Sequence, residues 1–321
     1  MHVEIVTPAP PSSHNGNRVT ALRWARLLRE LGHRVTVTTA WSGVAADVLV
    51  ALHARRSAAA ARAFTAAHPR RPVIVALTGT DLYQDLTESP ETQTAMEAAA
   101  ALVVLQPLAR TAVPSHLRSR VHVIHQSVTV PEAPPDGDRP GRFDVVFLAH
   151  LRAVKDPLLV AKATRLLPAD SAVRVTHLGA ALDRDLGERA AAETEANPRY
   201  RWLGDRPRAE ALTRLARSRL LVLTSRLEGG ANVVSEALAA TTPVLSTRID
   251  GSVGLLGRDY PGYFPVGDAG ALADLLHRAA TDDTYLGDLA AHVQARRDLV
   301  DPVRERRAWA DLLRAVTGSM P

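Results

Sequence analysis

No cysteine occurs in the 321 residues, so disulfides and thiolate chemistry are excluded. The chain also lacks any run of about 18 uncharged apolar residues, the length a membrane-spanning helix requires. Met1-His2-Val3-Glu4-Ile5 passes directly into a strand pattern. Neither a membrane span nor a signal peptide is expected, and the cytoplasm is the expected compartment. Lysine is scarce: of 39 basic residues all but Lys155 and Lys162 are arginine. Lys155 therefore draws attention as a lysine kept against an arginine default. A formal charge of +5 and an isoelectric point near 10.0 would suit nucleic acid or an anionic surface. The arginines, however, alternate with glutamates along alanine-rich helical stretches, the pattern of solvated helix faces. No nucleic-acid partner is expected.

What is present suits two α/β domains. The length is about twice one ordinary domain, and 46% hydrophobic residues are enough for two cores. The stretch from Leu220 to Thr247 organises the second half: an apolar run (220–225), then Arg226-Leu227-Glu228-Gly229-Gly230-Ala231-Asn232, then Val233, Val234, Ala237 and Leu238 at helical spacing, then Pro243-Val244-Leu245-Ser246-Thr247. This predicts strand, glycine turn, helix and strand. Glu228 falls on the loop at the strand's carboxyl end, where open parallel sheets bind ligands. Glu236 falls about two turns into the helix. Amides from Gly229 to Asn232 would face any phosphate placed there.

The remaining pattern is strand and helix in alternation. The first half predicts a strand over 2–7, a loop over 8–17 and a helix over 18–31 with an apolar stripe of Val19, Leu22, Ala25, Leu27, Leu28 and Leu31, stopped by Gly32. A strand over 47–53 delivers His53, Arg55 and Arg56 to the same edge as the 8–17 loop. A strand over 73–77 leads into Thr78-Gly79-Thr80-Asp81, and one over 121–124 leads into His125-Gln126. Residues 131–141, rich in proline, glycine and aspartate, have the composition of a linker. Beyond it, a strand over 143–148 opens into a loop carrying His150, Arg152 and Lys155. Gly251-Ser252-Val253-Gly254 is expected as a small-residue loop. The last helix, over 302–316, has Val303, Trp309, Leu312 and Leu313 as its apolar residues.

Glu228 and Glu236 enclose seven residues, and Glu-Gly-Gly through Glu-Ala-Leu-Ala to Pro-Val resembles the E-x7-E signature of the retaining, nucleotide-sugar-dependent glycosyltransferases of family 4. The resemblance implies the α/β GT-B fold, two Rossmann-like domains facing a central cleft. Residues 1–130 would form the acceptor side and 131–141 the linker. Residues 142–301 would form the nucleotide-sugar side, and 302–321 a helix crossing back to the first domain. It further implies Arg152, Lys155 and Glu228 as catalytic residues, and His150, Leu203, Gly229, Gly230, Ala231, Asn232, Val233 and Glu236 as donor-binding residues. This chain departs from the family pattern at His150, where the family has arginine, with Arg152 two residues on. It departs again at Asn17, in place of a second glycine, at Thr78, often histidine, and at His125 and Gln126.

Thr7-Pro8-Ala9, the segment from Asn15 to Trp24, Ala76-Leu77-Thr78-Gly79-Thr80-Asp81-Leu82-Tyr83, the segment from Gly229 to Glu236 and the segment from Asp259 to Asp268 together resemble the selenosugar synthases of selenoneine biosynthesis. That resemblance implies a carbon–selenium bond formed between selenophosphate and the sugar of UDP-GlcNAc or UDP-glucose. No metal is implied, and no cofactor beyond the UDP-sugar co-substrate. Selenophosphate is an anionic, soft nucleophile and needs no general base. Asn15, Gly16, Asn17, Arg18, Thr78, Gly79, His125 and Gln126 are the expected acceptor-binding residues. Three other functions share these features in part: a glycosyltransferase with a hydroxyl acceptor, a nucleotide-sugar epimerase of the same fold, and a non-enzymatic nucleic-acid binder.

Overall fold

The computed structural model describes residues 1–13, 15–84, 86, 89–131 and 141–318. The chain divides into two compact units: residues 1–127 with 228–230 and 302–321, and residues 128–227 with 231–301. Most of the expected linker, residues 132–140, lies outside the described residues.

In the first unit six parallel strands, β1 (His2–Val6), β2 (Arg34–Thr38), β3 (Val48–Leu52), β4 (Val73–Leu77), β5 (Ala101–Val104) and β6 (Val121–Val123), lie in the order β2-β1-β3-β4-β5-β6. β1, β3 and β4 are buried at every position, because both faces of the sheet are covered and each face needs apolar side chains. The pleat sorts them. Val48, Val50, Leu52, Ile74 and Ala76 meet Trp24, Leu28, Trp309 and Leu313 on one face. Leu49, Ala51, Val75 and Leu77 meet Phe64 and Met96 on the other. The first face is covered by helices Gly16–Glu30 and Pro302–Thr317. Trp24 and Trp309 meet edge to face with ring centroids 4.7 Å apart, and truncating either would cost about 3–5 kcal/mol.

Beneath the tryptophans lies a buried carboxylate, Glu305. It accepts from Trp24 Nε1 at 2.7 Å, Arg23 Nε at 3.3 Å, Ser127 N at 2.7 Å and the Ser127 hydroxyl. These donors compensate a charge that is only 2% exposed.

The second unit repeats the scheme. β7 (Phe143–Leu148), β8 (Val173–Leu178), β9 (Tyr200–Trp202), β10 (Leu220–Leu223), β11 (Val244–Thr247) and β12 (Tyr263–Phe264) form a parallel sheet in the order β12-β11-β10-β7-β8-β9. Its core joins Val145, Phe147, Leu221 and Leu245 of the strands to Val234, Ala237 and Leu238 of helix Asn232–Ala240.

Three expectations are corrected by side-chain placement. Leu22 is 48% exposed: it lies one and two turns from Arg26 and Arg29 on the solvent side, while Ala21, Trp24, Ala25 and Leu28 form the buried stripe. Val303 is 60% exposed, in line with Arg307, and the buried stripe of its helix begins at Glu305. The stretch Gly251 to Gly254 is not a loop but part of helix Asp250–Leu256. It is tied to the end of β11, where the Ser246 hydroxyl donates to Ser252 Oγ at 2.8 Å. The first helix also begins at Gly16, two residues before the expected start.

Candidate functional site

Open parallel sheets bind ligands where the chain's direction of winding reverses, outside the strands' carboxyl ends. In the second unit the chain runs from β7 outward through β8 and β9, then from β10 outward through β11 and β12. The crevice therefore falls between β7 and β10. Their carboxyl ends carry the two stretches that the sequence singles out, the loop from Ala149 to Pro157 and the loop from Thr224 to Ala231.

These loops are fastened together. The buried Thr224 hydroxyl donates to the carbonyls of Lys155 at 2.7 Å and Asp156 at 3.0 Å. Arg226 N donates to the Val154 carbonyl at 2.9 Å. The Arg226 guanidinium reaches Asp156 Oδ2 at 2.7 Å. Asp156 takes a left-handed conformation, φ 43°, at the end of the 3-10 turn Ala153–Lys155. Lys155, half-buried, is thus held at the crevice by its own carbonyl, while Arg152 is exposed on extended backbone.

The His150 side of the loop is braced from below. His177, fully buried on β8, donates from Nε2 to the Ala149 carbonyl at 2.8 Å and accepts at Nδ1 from the Tyr200 hydroxyl at 2.6 Å. Acceptance at Nδ1 requires the neutral ring, and burial favours that form by lowering its pKa to about 4. Ala180 N donates to His150 Nδ1 at 3.0 Å, which leaves the proton of a neutral His150 ring on Nε2. Gly179 makes this packing possible: a Cβ there would lie 1.8 Å from the Ala149 carbonyl oxygen. Leu203, half-buried, donates its amide to the His177 carbonyl at 2.9 Å.

Helix Asn232–Ala240 begins at the crevice with Ala231 at its N-cap position, so its first amides have no side-chain cap. Gly229 and Gly230 are needed for a different reason from the left-handed turn that a Gly-Gly pair suggests. Neither has a positive φ. A Cβ at Gly229 would lie 2.4 Å from the Thr78 carbonyl oxygen and one at Gly230 2.5 Å from Leu105 Cβ, so close approach is the constraint. By their packing, Glu228 to Gly230 belong with the first unit. Glu228 is half-buried. Glu236 is 6% exposed and forms an ion pair with Arg208.

In the first unit the winding reverses between β1 and β3. The loop after β1 ends at Asn15, whose Oδ1 accepts from Arg18 N at 3.1 Å, capping helix Gly16–Glu30. Asn17 and Arg18 are half-buried, and Arg18 Nε is buried with no hydrogen-bond partner among the described residues. His53 follows β3 at φ 69°, with Nε2 3.0 Å from Thr80 Oγ1. Arg55 and Arg56 are exposed beyond it. After β4, the fully buried Asp81 accepts from Thr78 N at 2.9 Å, Gly79 N at 2.7 Å and Ala54 N at 2.9 Å. The Thr78 and Gly79 amides are therefore committed to Asp81. Gln126, 1% exposed, donates to Thr20 Oγ1 at 2.7 Å. It is thereby joined to the first helix, and His125 beside it is half-buried.

Sequence reasoning missed Arg208, Thr224, Asp156, Arg226, His177 and Asp81. For Asp81 a signal existed: Thr-Gly-Thr-Asp after a strand is a turn in which a carboxylate can reach back to loop amides. Among the described residues, no group of three or more His, Asp or Glu side chains is placed to hold a metal ion.

Two doubly wound parallel sheets, each with ligand-side loops at a winding reversal, define the GT-B class of α/β fold. A family model described as glycosyl transferases group 1 matches residues 132–296. The chain belongs to that family. No protein of curated function matches it by sequence. Among solved structures it is similar to HepE of Anabaena in complex with UDP-glucose, with a TM-score of 0.75 at 17% identity over 98% of this chain and 100% of that one. It is also similar to the sucrose-phosphate synthase of Thermosynechococcus elongatus, TM-score 0.80 at 13% identity over 99% of both chains. A third is an α,α-trehalose-phosphate synthase of Burkholderia vietnamiensis, TM-score 0.69 at 15% identity over 93% of this chain and 79% of that one. No helix among the described residues is long and apolar enough to cross a membrane.

Proposed function

We propose that the protein transfers the sugar of a UDP-sugar to selenophosphate, with the second unit taking the donor and the first the acceptor. The observation that carries the donor half is the meeting, at one winding reversal, of a braced cationic loop and a helix N-terminus without a side-chain cap. Such amides and fixed cations together suit a diphosphate. Lys155 and Arg152 stabilise the departing UDP. His150 donates from Nε2 to the phosphates, the amides of Gly229 to Val233 line the same anion, and Leu203 borders the base. Glu228 faces the sugar and Glu236 the ribose hydroxyls. HepE was solved with UDP-glucose, which supports UDP as the nucleotide tried first.

The acceptor half rests on the motifs shared with selenosugar synthases and on Thr78, which offers no imidazole to deprotonate a hydroxyl. The selenium lone pair attacks the anomeric carbon, the bond from that carbon to the diphosphate oxygen breaks, and UDP leaves with the electron pair. Water attack at phosphorus then cleaves the phosphorus–selenium bond and releases phosphate. Incubation with selenophosphate and a panel of UDP-sugars, followed by mass spectrometry, tests this. The expected result is a selenosugar with one UDP per turnover. Sugar transfer to a hydroxyl acceptor with no selenium product would overturn the acceptor, and turnover of UDP-GlcNAc alone would indicate epimerisation. Glu236→Ala is expected to raise the donor KM more than it lowers kcat.

A further inference from the structure

Arg208 is the first residue of helix Arg208–Arg217, whose N-cap, Pro207, provides no side-chain cap. A cation there opposes the helix dipole, which favours anions at its N-terminus. Helix formation thus gives no reason for arginine at this position. Its partner does: the guanidinium Nη1 is paired with Glu236 Oε1, across from one helix to the next. The two side chains differ in exposure. Glu236 is 9% exposed and Arg208 44%, so the carboxylate is sunk beside the crevice with the arginine laid over it from the solvent side. Among the described residues, Glu236 is the hydrogen-bond and ion-pair partner of the guanidinium.

We propose that Arg208 is the positioning residue for nucleotide recognition: by holding one oxygen of Glu236 it fixes the carboxylate so that the other accepts from the ribose diol. The inference rests on the donor reading above. A carboxylate free to rotate would lose orientational entropy on binding the diol, whereas one already held by a charged hydrogen bond would not. The benefit belongs to the hydroxyls alone, because the diphosphate is held by other groups.

The test compares UDP with 2′,3′-dideoxy-UDP by calorimetric titration of the wild type, Arg208→Ala, Arg208→Lys, Glu236→Gln and the Arg208→Ala/Glu236→Gln pair. The wild type is expected to prefer UDP by about 10- to 100-fold, the range of charged hydrogen bonds. Arg208→Ala should reduce that preference about tenfold and leave the affinity for dideoxy-UDP unchanged. Arg208→Lys should recover part of it. The double variant should lose no more than Glu236→Gln alone, as expected for two groups acting through one contact. An unchanged preference in Arg208→Ala, or an equal loss for UDP and dideoxy-UDP, would overturn the inference with the donor reading intact. A wild type that does not distinguish the two nucleotides removes Glu236 from the ribose and the inference with it. A wild type that binds neither overturns the donor reading itself.

Discussion

Acidification should weaken the second unit through one side chain. His177 is fully buried, and its two ring nitrogens serve opposite roles, Nε2 donating to Ala149 and Nδ1 accepting from Tyr200. Burial is the main cause that lowers its pKa from 6.5 to about 4, with the nearby His150 adding to it and the Ala149 hydrogen bond opposing. The sign follows from linkage. Between those values the unfolded chain binds a proton that the folded one refuses, so stability is complete above about pH 6.5 and falls as pH drops towards 4. A gap of about 2.5 pH units at 1.36 kcal/mol each amounts to about 3 kcal/mol. Denaturant dependence of hydrogen exchange at the β7 and β8 amides would follow this unit by itself. The comparison is with His177→Gln, whose amide can still donate to Ala149 but does not titrate. Wild type should be the more stable near pH 7.5, and its advantage should shrink by about 3 kcal/mol by pH 4. An advantage that stays constant across that range would refute the assignment of a neutral, buried His177.

Lys155→Ala should lower kcat by about 10²-fold with the fold intact, since it removes one preorganised group from the leaving diphosphate; steady-state kinetics with normal turnover would show the lysine to be surface charge. Asp81→Asn replaces an acceptor for three loop amides by a group with one oxygen, and should destabilise the first unit by about 1–3 kcal/mol in chemical denaturation. Glu305→Leu removes the acceptor of Trp24, Arg23 and Ser127 and leaves buried donors unsatisfied. A loss of about 3–5 kcal/mol is expected, read by the fluorescence of Trp24 and Trp309.

Much of this fold was legible because parallel strands covered on both faces appear in sequence as short apolar runs, and β3, β4 and β10 are of that kind. Helix Asn232–Ala240 was legible from the spacing of Val234, Ala237 and Leu238. The failures share a cause. Leu22 and Val303 are apolar residues on solvent faces, where only the angle to the sheet decides exposure. Gly251 to Gly254 has loop composition, yet it forms part of a helix in which Gly251 and Ser252 are buried. At the candidate site the sequence singled out the loops after β7 and β10, and not how they are held together. Arg208 pairs with a residue 28 positions away and Thr224 bonds carbonyls 69 and 68 positions away. Such contacts depend on strand order, which no local pattern contains.

The two winding reversals differ in what they leave for an anion, and the difference bears on the acceptor. In the second unit Ala231 leaves the helix amides uncapped. In the first, Asn15 accepts from Arg18 N, and Asp81 takes the amides of Thr78 and Gly79. An anionic acceptor in the first unit must therefore be held by side chains more than by backbone. Arg18 is the leading candidate, being half-buried with a buried Nε that has no hydrogen-bond partner among the described residues. A charge-assisted hydrogen bond contributes about 1.5–3 kcal/mol, or about 10- to 100-fold in affinity. Arg18→Ala should accordingly raise the KM for selenophosphate by about tenfold or more and leave UDP affinity unchanged, while Arg18→Lys recovers part of the loss. Asn17→Ala should act in the same direction and more weakly, since it removes a neutral donor. Initial rates at varied selenophosphate and saturating UDP-sugar, with UDP titration alongside, separate the outcomes. If Arg18→Ala loses UDP affinity and keeps its selenophosphate KM, the guanidinium serves the donor diphosphate and the acceptor lies elsewhere.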